Sequence, residues 1–251
     1  MKQKSQYIVI FESLLDLVGT LPANSLLPTE QQLAKRYLVS RVTIRRALGL
    51  LERSGRIARE RGRGTIVSPP KITRRIVHRR SIDQDLSEQG IKLETRVLRY
   101  TAKVPPPSYV CDSLGLSQKQ TTGLLELQRL VDDRIICYDI RYLAPAIARR
   151  FRPNTIQHHA FHDIVENLAG VPITYSDWET EIIPASYEIA SALNIRPGVL
   201  VWVNKFSEFL KTGEPADAGE VFYRIDRVKF RMRQPITAGE HHNRSMPRGS
   251  L

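Results

Sequence analysis

Residues 40–57, SRVTIRRALGLLERSGRI, constrain the fold more than any other stretch of this chain. Ser40 is a good helix N-cap, and Ile44, Ala47, Leu48 and Leu51 recur at the spacing of one buried helical face. The opposite face opens with Arg41, Thr43, Arg45 and Arg46. Cations are unfavourable there, because the first turn is the positive end of the helix macrodipole. Three arginines at that end call for an anion outside the helix to stabilise them.

The 251-residue chain carries a formal net charge of +12, and the excess is confined to one segment. Residues 1–80 hold 17 Lys and Arg against 5 Asp and Glu, whereas residues 81–251 hold 21 of each. This asymmetry points to an anionic partner for the first third alone, nucleic acid first and a membrane surface second. The length allows two domains, each with its own core. No apolar run is long enough to cross a bilayer. The opening MKQKSQYIVIFESLLDLV has the lysines of a signal peptide, but Glu12 and Asp16 interrupt its apolar stretch and no small-residue cleavage site follows. It reads as an amphipathic helix of a cytoplasmic protein. Cys111 and Cys137 fit a reducing compartment as buried thiols.

The flanking sequence gives the arginine-bearing helix its context. Ile8, Phe11, Leu14, Leu15 and Val18 mark a first helix over 6–18, and a Thr29-x-x-Gln32 capping box opens a second through Leu33, Ala34 and Tyr37. After the third helix, SGRIARERGRGTIVS reads as two short strands about a tip at Arg61-Gly62-Arg63-Gly64. Three helices, a tight turn between the last two, and a hairpin make a winged helix-turn-helix, expected over 1–68. Its third helix enters the major groove, where arginine reads guanine edges and threonine reaches bases or phosphates.

SPPKITRR, residues 68–75, is Pro-rich and then basic, and a linker is expected over 69–80. A second domain is expected over 81–233. It opens with a Ser81-x-x-Gln84 capping box and a helix stopped at Gly90. LETRVLRYTAKV then alternates as a strand, PPSYVCDSLGL is a short helix, and two long strands flank an Asp132-Asp133 turn. HAFHDIVENLAG and ASYEIASALNI are helices around the strand PITYSDWETEII, and further strands close the domain. The fold class is α+β on an antiparallel sheet. Residues 234–251 read as a polar tail.

Catalytic signatures are missing: there is no Ser/His/Asp pattern, P-loop or zinc-type cysteine pair, so no catalytic residue and no cofactor is assigned. His158 and His162 lie at helical i, i+4 spacing and could share a metal with Asp163 or Glu166. Solvent-facing histidines and no metal site are the expectation.

LLPTEQQLAKRYLVSRVTIRRALGLLERSGRIARERGRGTIV resembles the winged-helix signature of the GntR family of bacterial transcription regulators. The motifs TRVLRY, LGL, DDRIICYDIRYLAP, SYEIASALNIRPGVLVWV and YRIDRVKF resemble the UTRA effector-binding domain of its HutC-type branch, whose fold is similar to chorismate lyase. The resemblance implies DNA contacts from Gln31, Ser40, Arg41, Val42, Thr43 and Arg45, and from the wing tip Arg61, Gly62, Arg63, Gly64 and Thr65. Gln31 replaces a usual Arg or Lys, Val42 a usual Thr, and Leu38 a common turn Gly. The resemblance further implies a homodimer on double-stranded operator DNA, repression by default, and a small-molecule effector; the helix start at Ser81 and the Arg129 cation make an anionic one the expectation. By position, the effector pocket includes Ser81 and its neighbours at a helix N-terminus, Arg129, Asp139, Tyr175, Ser176, Asp217 and Tyr223. Members that bind sugar phosphates carry a second arginine where this chain has Leu127, and their two glutamates are Asp139 and Asp217 here. Those differences argue against an ordinary hexosamine phosphate. Two rival readings are an enzyme built on the second domain and an architectural DNA-binding protein without a ligand.

Overall fold

The computed structural model describes residues 5–60, 62–76, 81–157 and 159–233. The head is built from α1 (Gln6–Thr20), α2 (Glu30–Tyr37), α3 (Arg41–Arg53), β1 (Ile57–Glu60) and β2 (Gly64–Val67). Both predicted caps form: Thr29 and Gln32 make the reciprocal box on α2, and Ser40 Oγ accepts the Thr43 N–H at 3.1 Å. The apolar faces converge on Leu14, Leu33, Ile44, Leu48 and Leu51, which close the head's core with Ile57 and Val67. The turn between α2 and α3 passes through Leu38 in the left-handed region at φ 55° with its side chain 90% exposed. The chain tolerates a β-carbon there at a cost of roughly 1–2 kcal/mol. β1 and β2 pair antiparallel, and Leu26 bridges to Ile66 alongside them.

The expected linker is partly structured. Residues 72–76 form β3 (Ile72–Ile76), which runs parallel to β10 (Val228–Met232), with Ile72 opposite Val228. Residues 77–80 of that stretch, and the polar tail 234–251, lie outside the described residues.

The second domain centres on a six-stranded antiparallel sheet of β4 (Glu94–Val104), β5 (Thr122–Val131), β6 (Arg134–Leu143), β7 (Ile173–Pro184), β8 (Leu200–Leu210) and β9 (Pro215–Arg224). Their spatial order is β4-β5-β6-β9-β8-β7. The β5–β6 turn holds Asp132 and Asp133 at φ 49° and 58°, the pair of positive angles that a two-residue hairpin requires. One face of the sheet packs Val110, Leu114, Ala190 and Leu193 from α5 (Ser108–Leu114) and α8 (Tyr187–Leu193). The other face is covered by α4 (Ile82–Glu88), α6 (Pro145–Ala148), a 3-10 turn (Pro153–Gln157) and α7 (Phe161–Ala169), through Ile82, Leu86, Ile147, Phe151, Phe161 and Val165.

Among the described residues, head and second domain meet around Arg134 and around Gly55. Arg134, after the Asp132-Asp133 turn, donates to Asn24 Oδ1 at 2.7 Å and lies 3.8 Å from Glu60 on the wing strand. Gly55, at φ 71° just past α3, lies so close to Asp226 that a β-carbon there would meet its carbonyl oxygen at 2.4 Å.

Candidate nucleic-acid interface and buried polar site

The start of α3 presents its cations to solvent. Arg41, Val42, Arg45 and Arg46 are exposed, as is Gln31 on α2, and no acidic residue occupies the first turn of α3. Arg41 and Arg46 have no ion pair among the described residues. Arg45 is held by Glu30, the first residue of α2, which accepts from Nε and Nη2 at 3.1 Å each. Arg59 on β1 approaches the same Glu30 and Glu52 at 3.5 and 3.4 Å. Ser40 and Thr43 pair their hydroxyls at 2.9 Å, so both spend polar capacity on shaping the helix start. At the wing, Gly62 and Gly64 take positive φ and are exposed. Arg63 donates to Glu60 and to the Asn24 carbonyl, and the strand continues through the half-buried Thr65. Arg61 lies outside the described residues.

The sheet face under α4 and α7 holds a chain of buried ionic groups, which alternation along the strands aims to one side. Arg129 on β5 is 1% exposed. Its Nε donates to Asp139 Oδ2 at 3.3 Å, and its Nη1 donates to Thr95 Oγ1 at 2.6 Å and Asp83 Oδ1 at 3.2 Å. Burial alone would lower the Arg129 pKa, but Asp83 and Asp139 outweigh it and hold it above the ordinary value. Asp139 also lies 3.8 Å from Arg141, whose Nη1 donates to Asp217 at 2.6 Å and Glu208 at 3.3 Å. The Arg141 guanidinium is sandwiched between the Phe161 and Phe206 rings, 4.2 and 4.6 Å from their centroids. His162 Nε2 lies 3.0 Å from both Glu208 oxygens.

These charges set one another's protonation. Burial and the neighbouring Glu208 carboxylate push Asp217 up to about 8. Burial would also raise Glu208, but His162 and Arg141 reverse this and hold it below the usual carboxylate range. Burial would lower His162, and Glu208 instead raises it. Burial drives the Cys137 thiol up, with Asp139 adding to the effect, so it stays protonated and inert. Several polar atoms in this layer are buried without a hydrogen-bond partner among the described residues: Arg129 Nη2, Asp83 Oδ2, Arg141 Nε, Asp217 Oδ1 and Asn204 Nδ2. Orphaned buried groups cost about 1–3 kcal/mol each. Such a concentration on one sheet face is what a site built for a polar ligand leaves behind.

The sequence-predicted pocket residues divide. Arg129, Asp139 and Asp217 join one network, and Tyr223 is buried on the same face opposite Cys137. Ser81 caps α4, whose Asp83 reaches Arg129, but its own hydroxyl is taken by the Gln84 N–H. Tyr175 is not brought there. A register shift after Ile173 places it opposite Phe209 against that ring, 61% exposed on the outermost strand. Ser176 lies opposite Glu208 and bonds the Trp178 indole. Leu127 faces Asp139 across β5–β6, and a second buried arginine comes instead from Arg141 on β6. Sequence reasoning missed Thr95, Arg141, Asn204 and Glu208, and reached Asp83 only as an unnamed neighbour of Ser81. Arg141 was within reach, since it stands two positions from Asp139 and must share its face. His162 is a correction: expected in solvent, it is 19% exposed and locked to Glu208, because α7 lays this side over the sheet. His158 lies outside the described residues, and no metal-binding cluster is found among those described.

A winged helix-turn-helix joined to a second domain with a buried polar site defines a DNA-binding transcriptional regulator. Comparison with known proteins agrees: residues 10–67 match the model for bacterial regulatory proteins of the gntR family, and residues 88–229 match the UTRA domain. The chain belongs to the GntR regulators that carry a UTRA domain. It is 26% identical to the HTH-type transcriptional repressor NagR of Bacillus subtilis over 226 residues, 89% of this chain and 92% of NagR. It is 28% identical to the HTH-type transcriptional regulator Rv0792c of Mycobacterium tuberculosis, over 86% of this chain and 80% of that protein. Among solved structures, PhnF from Mycobacterium smegmatis matches with a TM-score of 0.61 at 18% identity, covering 91% of this chain and all (100%) of that one. YydK from B. subtilis matches with a TM-score of 0.57 at 22% identity, over 91% of this chain and 99% of that one.

Proposed function

We propose that this regulator is a HutC-type repressor that binds a near-palindromic operator as a homodimer and is released by a small anionic effector. In this reading Arg41, Thr43, Arg45 and Arg46 meet base edges and phosphates, with Gln31, Ser40, Val42 and the wing residues 61–65 beside them. Arg129, Asp139 and Asp217 line the effector site, together with Arg141. The observation that carries the reading is Arg129: a fully buried cation with one nitrogen unpartnered, in a domain that adds nothing to the positive charge of the head. An architectural protein would have no use for it. An enzyme is disfavoured because Arg141, Glu208, Asp217 and His162 are bound to one another, and the chain is similar to proteins named as regulators.

Two titrations on each variant test this, one with labelled operator and one with metabolites found by thermal-shift screening. Arg41→Ala is expected to cost roughly 1–3 kcal/mol of operator binding and to relax preference at one position per half-site. It leaves metabolite binding intact. Arg129→Gln is expected to bind operator with an affinity that metabolite no longer changes. Release of Arg129→Gln at the wild-type metabolite concentration would move the effector site elsewhere.

A further inference from the structure

Asp83 and Asp85 lie two positions apart on α4, so they project to nearly opposite sides of the helix. Asp83 reaches into the sheet face and binds Arg129 at 3.2 Å. Asp85 reaches the other way, to β3. It accepts from Arg74 Nη1 at 2.9 Å, from the Arg75 backbone N–H at 2.8 Å and from Arg75 Nε at 2.7 Å. β3 is the segment through which the chain arrives from the DNA-binding head.

The two counterions of Arg129 are not equivalent. Asp139 is buried and belongs to the sheet. Asp83 is 22% exposed, sits on a two-turn helix, and has no hydrogen-bond partner other than Arg129 among the described residues. Its second carboxylate oxygen has none, and neither does Arg129 Nη2. A guanidinium offers a two-pronged donor edge to an anion. Here the internal carboxylate takes only one prong, so the pair is incomplete on both sides.

We propose that Asp83 is a built-in stand-in for the effector's anionic group: a compact oxyanion takes its place on Arg129, frees α4, and so loosens the grip of Asp85 on β3. This rests on the proposed effector site and names both its ligand chemistry and its route to the head. The ligand's carboxylate or phosphate takes both prongs, Nη1 in place of Asp83 and Nη2, which has no partner among the described residues. With Asp83 expelled, the first turn of α4 loses its contact with the sheet's ionic layer, and the shifted helix slackens the hold of Asp85 on Arg74 and Arg75. Movement of the helix is thereby passed to β3.

Inorganic phosphate is the probe, titrated calorimetrically into the full chain without DNA. Asp83→Asn removes the internal competitor and is expected to bind phosphate at least about fivefold more tightly than the wild type, within the roughly 5–150-fold range of coupled equilibria. Arg129→Gln, with the same basic head, is expected to show only the weak binding that the head contributes. In the wild type, saturating phosphate is expected to speed hydrogen exchange at the Arg75 amide, which Asp85 now holds. Equal phosphate affinity in wild type and Asp83→Asn overturns the proposal, as does unchanged Arg75 exchange at saturation. If Asp83→Asn does not fold, the wild-type exchange measurement decides alone. Operator titrations of the same proteins test the regulator reading separately, since competition at Arg129 is measurable whether or not DNA is released.

Discussion

Asp217 and its neighbours show how a single buried side chain can make stability depend on pH. Its folded pKa lies far above that of an exposed aspartate, so the folded protein takes up a proton that the unfolded chain releases. The stability from that proton is fully present in acid and is lost as pH rises through about 8. His162, also raised, acts in the same direction, whereas lowered Glu208 contributes stability that disappears only as pH falls below the ordinary glutamate range. The second domain is therefore expected to melt at progressively lower temperature between about pH 4 and 8, the span between the ordinary aspartate value and the folded one, and to level off above it. Asp217→Asn keeps an acceptor for Arg141 without the titration and is expected to flatten much of that slope in calorimetric melts. A slope as steep in Asp217→Asn as in wild type would place the titrating group elsewhere. Little of this was legible from sequence. Asp217 and Asp139 were found by position and alternation sets Arg141 beside Asp139, but Glu208 and His162 join them only through strand pairing and the packing of α7, which local pattern does not specify.

At the scale of elements, α2 and α3 are connected by more than their turn. Glu30 benefits α2 as a first-turn acid and at the same time holds Arg45, a residue of the proposed reading face. Operator phosphates must compete with it. Glu30→Gln is expected to strengthen operator binding by up to about 1 kcal/mol, the ordinary worth of an exposed ion pair. The logarithmic salt dependence should steepen as Arg45 meets phosphate unopposed. The same change is expected to cost the head roughly 0.3–1 kcal/mol of stability through the helix dipole. Anisotropy over a salt series and a thermal melt read the two effects independently; a weaker operator complex would show that Glu30 positions Arg45 for DNA. Elements of this kind were the most legible. Thr29–Gln32, Ser40 and Ser81–Gln84 announce their helices through local capping chemistry, and Asp132-Asp133 announces its turn as a polar pair between two long strand-like runs. β3 was not legible. KITRRI follows two prolines and is rich in cations, and its strand character comes from β10, at the far end of the chain.

At the scale of the whole molecule, one helix-turn-helix spans only a few base pairs, and a two-fold pair of heads doubles the contacts. The proposed homodimer has a physical motive in β7, which among the described residues pairs only with β8. Its twelve residues run along the rim with Trp178 and Ile182 exposed, a long open edge of the sort proteins usually cover. Light scattering at micromolar concentration is expected to give twice the chain mass, with and without operator. A monomer under both conditions would remove the two-fold operator from the account.

The parallel pairing of β3 with β10 also has a consequence for how the protein is made. Every contact in the head's core lies within residues 10–67, so the head can fold as soon as that length has left the ribosome. β3 emerges next but finds its partner only after Val228 has been synthesised, once the whole effector domain has followed it. During translation the molecule therefore passes through a stage in which a finished DNA-binding head hangs from an unpaired strand. Any product that ends before β10 stays at that stage. Such a fragment keeps the reading helix and the hold of Asp85 on β3 but has lost the β10 pairing, so an early stop or a protease cut is expected to leave operator binding without the proposed effector response.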